Sequence, residues 1–137
     1  MENIFTDIQT VAIIGCSSNT YRTSHHIASY IQRAGFRMIP INPNETEVLG
    51  EACYDTIFDV PDDITIDMVD IFRNKKYTAE MVKQIVEWSK ESGQKPVIWT
   101  QLNVSTPEAK QLADDAGLEY VENRCLMVEH RRIEGEL

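Results

Sequence analysis

At 137 residues, with 42% hydrophobic and 26% charged side chains, the chain has the length and balance of one folded domain spanning 1–137, which excludes a disordered or fibrous protein. Lys and Arg total 13 against 22 Asp and Glu, a formal charge of -9, and that field repels nucleic-acid backbones and anionic lipid surfaces. Neither nucleic acid nor membrane is therefore an expected partner.

The start, Met1-Glu2-Asn3-Ile4, lacks the basic and apolar regions of a signal peptide. No later run approaches the roughly 18 consecutive apolar residues of a membrane span, so a cytoplasmic location is expected. Residues 10–15, Thr-Val-Ala-Ile-Ile-Gly, are a β-branched apolar run that reads as a strand buried on both faces. From Ser24 onward Ile27, Ala28, Ile31 and Ala34 recur at helical spacing, and Gly35 follows where a left-handed cap belongs, which predicts a first helix. Residues 36–41 read as a second strand ended by Asn42-Pro43-Asn44; Pro40 removes a ladder donor and sits awkwardly in an interior strand. Residues 45–61 mix Gly50, acids and short apolar pieces, and are predicted as a connection with about one turn of helix.

Residues 66–72 form a third predicted strand. Thr78 is the expected N-cap of a helix whose Met81, Val82, Ile85 and Val86 share a face and which Gly93 ends. Residues 96–100 are strand four. Ser105-Thr106-Pro107-Glu108 supplies cap residues, an early proline and an acid at the third helical position; Ala109, Leu112, Ala113 and Ala116 form a stripe that Gly117 closes. Residues 118–121 are strand five, and residues 125–133 a last helix whose Leu126 and Met127 suit either the core or a second subunit.

Strands alternating with helices define βαβ units with right-handed crossovers. The expected fold class is α/β, a doubly wound three-layer sandwich on a five-stranded parallel sheet in the order 3-2-1-4-5. Its ligand crevice belongs at the carboxyl ends of the strands, beside strand one. There Gly15-Cys16-Ser17-Ser18-Asn19 precedes a helix, a setting that aims backbone N–H groups and the helix dipole at an anion, although only the first glycine of G-x-G-x-x-G is present. Arg22 follows strand one, Arg73, Lys75 and Lys76 follow strand three, and Arg124 follows strand five. Cations gathered on one rim of an acidic protein favour a small polyanion, and arginine's planar fork suits phosphate. Lys75 and Lys76 also suit a solvated turn. Strand two ends in neutral Asn42-Pro43-Asn44, where a carboxylate would serve the ribose of NAD; NAD is therefore disfavoured, and a ligand with a phosphorylated ribose, NADP included, stays open.

Several blocks together resemble the small bacterial and archaeal CoA-binding proteins. They are Gly15 to Asn19, Ile39-Pro40-Ile41-Asn42-Pro43, Gly50 with Cys53-Tyr54, Val69-Asp70-Ile71-Phe72-Arg73, Trp99-Thr100-Gln101-Leu102 and Asn123-Arg124-Cys125. The resemblance runs from about residue 8 to residue 135 with the blocks in the family order. Thr20 and Asn103 depart from it, standing where the family often has proline and glycine. It implies a Rossmann-like domain similar to the one that opens the α subunit of succinyl-CoA synthetase, with coenzyme A as cofactor. By the same resemblance Gly15, Ser17, Ser18 and Arg22 cradle the pyrophosphate with Ser24 near the helix start. Asn42 and Pro43 border the adenosine and its 3′-phosphate, Phe72, Arg73 and Gln101 line the next part of the groove, and Asn123 and Arg124 lie toward the thiol arm.

Catalytic signals are thin. Ser17, Asp70 and His130 occur in hydrolase order, but the closing glycine of a nucleophile elbow is absent, so no catalytic residue is assigned. His25 and His26 point about 100° apart on a helix and cannot share a metal, leaving one for solvent and one for the phosphate loop; no metal site is expected. His130 among Glu129, Arg131 and Arg132 reads as helix surface. Cys16, Cys53 and Cys125 include no Cys-x-x-Cys pair and read as reduced thiols. Cys16 at a helix start and Cys125 beside Arg124 occupy settings that lower a thiol pKa, and Cys125 is the better partner for a mixed disulfide with a CoA thiol. The expected function is binding of coenzyme A or an acyl-CoA as a small-molecule ligand, non-catalytic alone, with a homodimer or a separate catalytic partner open. The rivals are an NADP-dependent oxidoreductase and a regulatory nucleotide-sensing interaction module.

Overall fold

The computed structural model describes residues 3–135; residues 1, 2, 136 and 137 of the expected domain lie outside them. In chain order these residues form β1 (Thr10–Ile14), α1 (Thr23–Arg33), β2 (Arg37–Ile41), β3 (Glu47–Val48), β4 (Glu51–Ala52), β5 (Met68–Ile71), α2 (Thr78–Ser92), β6 (Val97–Thr100), α3 (Pro107–Asp115), β7 (Tyr120–Val121) and α4 (Leu126–Gly135). All five residues of β1 are buried, as its β-branched run requires. Side chains alternate across a strand, so Val11 and Ile13 join a core with Ile27, Ile31 and Leu126 of α1 and α4, while Ala12 and Ile14 join one with Val82, Ile85 and Ala113 of α2 and α3. The result is a parallel five-stranded sheet with helices on both faces, the expected α/β class and Rossmann-like layering.

The strand order differs from the expected 3-2-1-4-5. The sheet runs β2-β1-β5-β6-β7, which is 2-1-3-4-5 when its five strands are numbered alone. Pro40 is the physical reason strand two stands at the edge. Its carbonyl accepts Tyr54 N–H at 3.1 Å on the side away from β1, and the N–H that proline lacks would point the same way. A sheet-interior position would demand that donor; the outer edge, covered only by a short bridge to Tyr54, does not. After β2 the chain crosses back to place β5 on the other side of β1, so the switch point lies between β1 and β5.

Local details also depart from expectation. Residues 45–61 are more ordered than a simple connection, holding the β3–β4 hairpin and a 3₁₀ turn at Ile57–Asp59. Thr78 does not cap α2. A 3₁₀ turn at Lys75–Tyr77 leads directly into the helix, and the buried Thr78 Oγ1 instead donates to the Val104 carbonyl at 2.7 Å. Thr106 caps α3 by accepting Ala109 N–H at 3.1 Å, which puts Glu108 at the second helical position rather than the third. His130 is buried, not surface: its Nδ1 meets Tyr30 Oη at 2.6 Å, and Phe5 and Phe36 stand edge-on to its ring. Leu126 lies fully in the core.

Candidate functional site

The site begins at Gly15, where β1 ends. Its φ of +82° is open to glycine at little cost, and a Cβ there would lie 2.1 Å from the Phe72 carbonyl oxygen. The close approach is held by ladder bonds on both sides, Gly15 N–H to Ile41 and Phe72 N–H to Ile14, each 2.8 Å. The ends of β1, β2 and β5 are thus drawn together at the switch point, and the loop from Cys16 to Arg22 rises from that seam into α1.

Side chains within the loop and its surroundings hold it in shape. Ser24 Oγ accepts Ser17 N–H at 3.1 Å, Ser17 Oγ accepts Asn19 N–H at 3.0 Å, and Asn19 Oδ1 accepts Tyr21 N–H at 2.9 Å. His25 Nδ1 donates to the Ser17 carbonyl at 3.0 Å, and His26 is exposed, as the adjacent-histidine reading required. Asn42 Nδ2 donates to the Cys16 carbonyl at 3.0 Å, tying the end of β2 to the loop. The free amides expected for an anion are therefore largely engaged. Hydroxyls and guanidinium groups remain to face a ligand.

A cavity of about 710 Å³ opens over this seam. It brings together Gly15, Ser17, Arg22, Ser24, Asn42, Phe72, Arg73 and Gln101, eight of the twelve residues singled out from sequence. Arg22 and Arg73 form no ion pair with any described residue, although the chain carries a charge of -9. Arg73 stacks its guanidinium 4.8 Å from the Tyr77 ring centre, which orients it without neutralising it. Gln101 is buried, its Oε1 accepting Leu126 N–H at 3.1 Å to pin the start of α4 against the cavity.

The other four lie elsewhere. Ser18 is taken by Glu45, whose two carboxylate oxygens accept from Ser18 N–H at 2.5 Å and Ser18 Oγ at 2.9 Å. These bonds hold the Glu45 carboxyl below its usual pKa, backbone donor first. The end of strand two is consequently not neutral, a correction to the sequence reading: an acid three residues beyond Asn42 reaches back to the loop. Pro43 borders a smaller adjoining cavity of about 170 Å³ that shares Gly15 and Arg73. Asn123 has a φ of 57° and accepts Asn103 N–H at 3.3 Å, so it shapes the loop after β6. Asn103, at φ 63°, adopts the conformation that a glycine would take there, which asparagine tolerates. Arg124 faces a separate cavity of about 630 Å³ with Ile8, Trp99 and Tyr120, and pairs with Glu129 at 3.7 Å.

Sequence reasoning left Tyr21, Thr23, Leu102, Val104 and Cys125 out of the binding set, yet all line the main cavity. Tyr21 is 92% exposed and Leu102 61%, apolar surface at the mouth of the cavity. Their position directly after the loop and after β6 was the available signal. Cys125, half-buried, is the thiol in this cavity. Cys16 is fully buried, and burial, then Cys53, Glu45 and Asp70, push its thiol up to about 12. Asp70 is wholly buried on β5 between Ile13 and Trp99, both oxygens lack a partner among the described residues, and desolvation raises it well above an ordinary carboxyl. With His130 bonded to Tyr30 and Ser17 to Asn19, the hydrolase order of Ser17, Asp70 and His130 does not assemble as a triad.

A doubly wound parallel sheet with helices on both faces defines the Rossmann-like α/β class. The family described as "CoA binding domain" matches residues 9–131, and the chain belongs to it. A hypothetical protein from Pyrococcus horikoshii OT3 is 38% identical with a TM-score of 0.87, covering 96% of this chain and 88% of that one. The uncharacterized protein YneT of Bacillus subtilis is 29% identical over 88% of this chain and 84% of its own. An ADP-forming acetate–CoA ligase of Archaeoglobus fulgidus is 30% identical over 44% of this chain, which corresponds to 9% of the ligase. The chain is thus related to the CoA-binding part of acetate–CoA ligases.

Proposed function

We propose that this protein binds coenzyme A, or an acyl-CoA, across the carboxyl ends of β1, β5 and β6, and is non-catalytic alone. The observation that supports the reading is the pair Arg22 and Arg73, two cations without a carboxylate partner among the described residues of an acidic chain, both lining one cavity. A pyrophosphate supplies the missing counter-charge, and a guanidinium binds two of its oxygens at once. Family membership favours the CoA class among pyrophosphate ligands. Ser17, Ser24 and Gln101 contribute polar contacts, and Tyr21, Phe72, Leu102 and Val104 supply apolar surface for the base and the pantetheine arm. Ser18 and Pro43 flank the cavity, while Asn123 and Arg124 act on the loops rather than on the ligand.

The chain works as one domain in the cytoplasm in this reading, where its thiols stay reduced. It serves as a carrier or sensor, or delivers ligand to a second copy or a separate catalytic partner, as a ligase would combine such a part with others. No helix among the described residues is long and apolar enough to cross a membrane. Thermal denaturation with coenzyme A or with NADPH tests the reading. A ligand at 100 times its Kd stabilises by about 2.7 kcal/mol, so CoA is expected to raise the midpoint and NADPH to leave it. A rise with NADPH alone favours the oxidoreductase, and no rise with either favours an interaction module.

A further inference from the structure

In parallel sheets of this kind the pyrophosphate sits on the first βα loop and the adenosine ribose meets the end of strand two, where an acid accepts from the ribose hydroxyls and an arginine accommodates a ribose phosphate. Here the end of β2 carries an acid. Asn42 clamps the turn: its Nδ2 reaches Cys16, its Oδ1 accepts Asn44 N–H at 2.9 Å, and its carbonyl accepts Glu45 N–H at 3.2 Å. That clamp presents the Glu45 carboxylate to Ser18, at the corner between the loop after β1 and the end of β2.

The wider charge pattern agrees. No lysine, arginine or histidine stands between Arg37 and Arg73, and every charged residue in that stretch is acidic. The cations of the crevice, Arg22 and Arg73, belong to the β1 and β5 side. A ribose phosphate at the end of β2 would meet the Glu45 carboxylate and no cation from the carboxyl end of that strand or the hairpin that follows, since Arg37 stands at the strand's opposite end. A free ribose hydroxyl can donate to that carboxylate.

We propose that Glu45 is a specificity-determining residue that selects an adenosine-diphosphate thiol ligand lacking the ribose phosphate, so that dephospho-coenzyme A binds more tightly than coenzyme A. The inference rests on the reading of the crevice as a CoA-class site and deepens it. Glu45 is half-buried and still reached by solvent, so the discrimination is partly screened by salt.

Isothermal titration of the full chain with dephospho-CoA and with CoA tests it, in wild type, Glu45→Gln and Glu45→Lys. At about 50 mM salt the wild type is expected to favour dephospho-CoA by about fivefold or more. Glu45→Gln should narrow that ratio, Glu45→Lys should invert it, and about 0.5 M salt should shrink it in the wild type. Equal or tighter binding of CoA by the wild type, or a preference that neither variant changes, overturns the role of Glu45 and leaves the CoA-class site standing. Binding of neither compound overturns both.

Discussion

The carbonyl oxygen of Phe72 occupies the space in which a side chain at Gly15 would begin, 2.1 Å from an ideal Cβ. The contact joins the two strands that flank the switch point and sets the width of the crevice floor. Gly15→Ala meets backbone, which cannot rotate away, and also places a side chain at a φ of +82°. Strain of this kind costs about 1–3 kcal/mol, and the clash adds to it. Thermal denaturation should show a lower midpoint, and titration a loss of CoA binding beyond what the stability change explains.

Arg22→Ala and Arg73→Ala are each expected to weaken CoA binding by about 1.5–3 kcal/mol, roughly tenfold to 150-fold, as for a lost charge-assisted hydrogen bond. Neither guanidinium has a carboxylate partner among the described residues. Stability should barely move for Arg22, whose exposed side chain has no hydrogen bond or ion pair among the described residues. Titration of both variants within a few tenths of wild type would place the phosphates elsewhere.

Asp70 makes stability depend on pH in a definite direction. Its folded pKa is raised by desolvation, so the folded state holds its proton to higher pH than the unfolded chain does. Stability from this group is present below the unfolded value near about 4 and is lost as pH rises toward the folded one. Asp70→Asn removes the titration. Melting profiles should show the variant gaining on wild type between pH 4 and pH 8, and a constant difference across that range would contradict the assignment.

The cysteines should differ sharply in reactivity. Cys16, buried with its thiol pushed up to about 12, is expected to resist alkylation at pH 8. Cys125, at the cavity wall, should react and be protected by bound CoA. With CoA disulfide, the Cys125 thiolate attacks one sulfur, forms a protein–CoA disulfide and releases one CoA thiolate. Intact mass should show one reducible CoA adduct on wild type and none on Cys125→Ser.

Much of the fold is legible in the sequence because its signals are local. The apolar run of β1, the stripe of α1 and the closing glycines each lie within a few residues. Strand order is different, since it depends on which edge each strand presents. Pro40 held that information, and a missing donor belongs at an edge. His130 was hidden by its charged neighbours Glu129, Arg131 and Arg132, although its spacing from Leu126 and Ile133 puts all three on one buried face. In the site, topology alone points to the loop from Gly15 to Ser18 and to Arg22 and Arg73, whereas Ser24, Asn42, Phe72 and Gln101 come from the family resemblance. Glu45 was missed because its role depends on a turn that folds it back onto Ser18, 27 residues earlier. Cys16 is the small buried hydrophobe that a free cysteine more often is: α1 starts only at Thr23, so no helix start lies beside the thiol to lower its pKa.

The most direct test of ligand placement is a titration of the isotopically labelled protein with coenzyme A, followed by amide chemical shifts. Saturable changes are expected at Gly15, Ser17, Phe72, Arg73 and Gln101, around the cavity at the carboxyl ends of the strands. Changes centred instead on Ile8, Trp99, Tyr120 and Val121, which line the cavity beside β7, or no saturable change anywhere, would contradict a CoA site at the switch point.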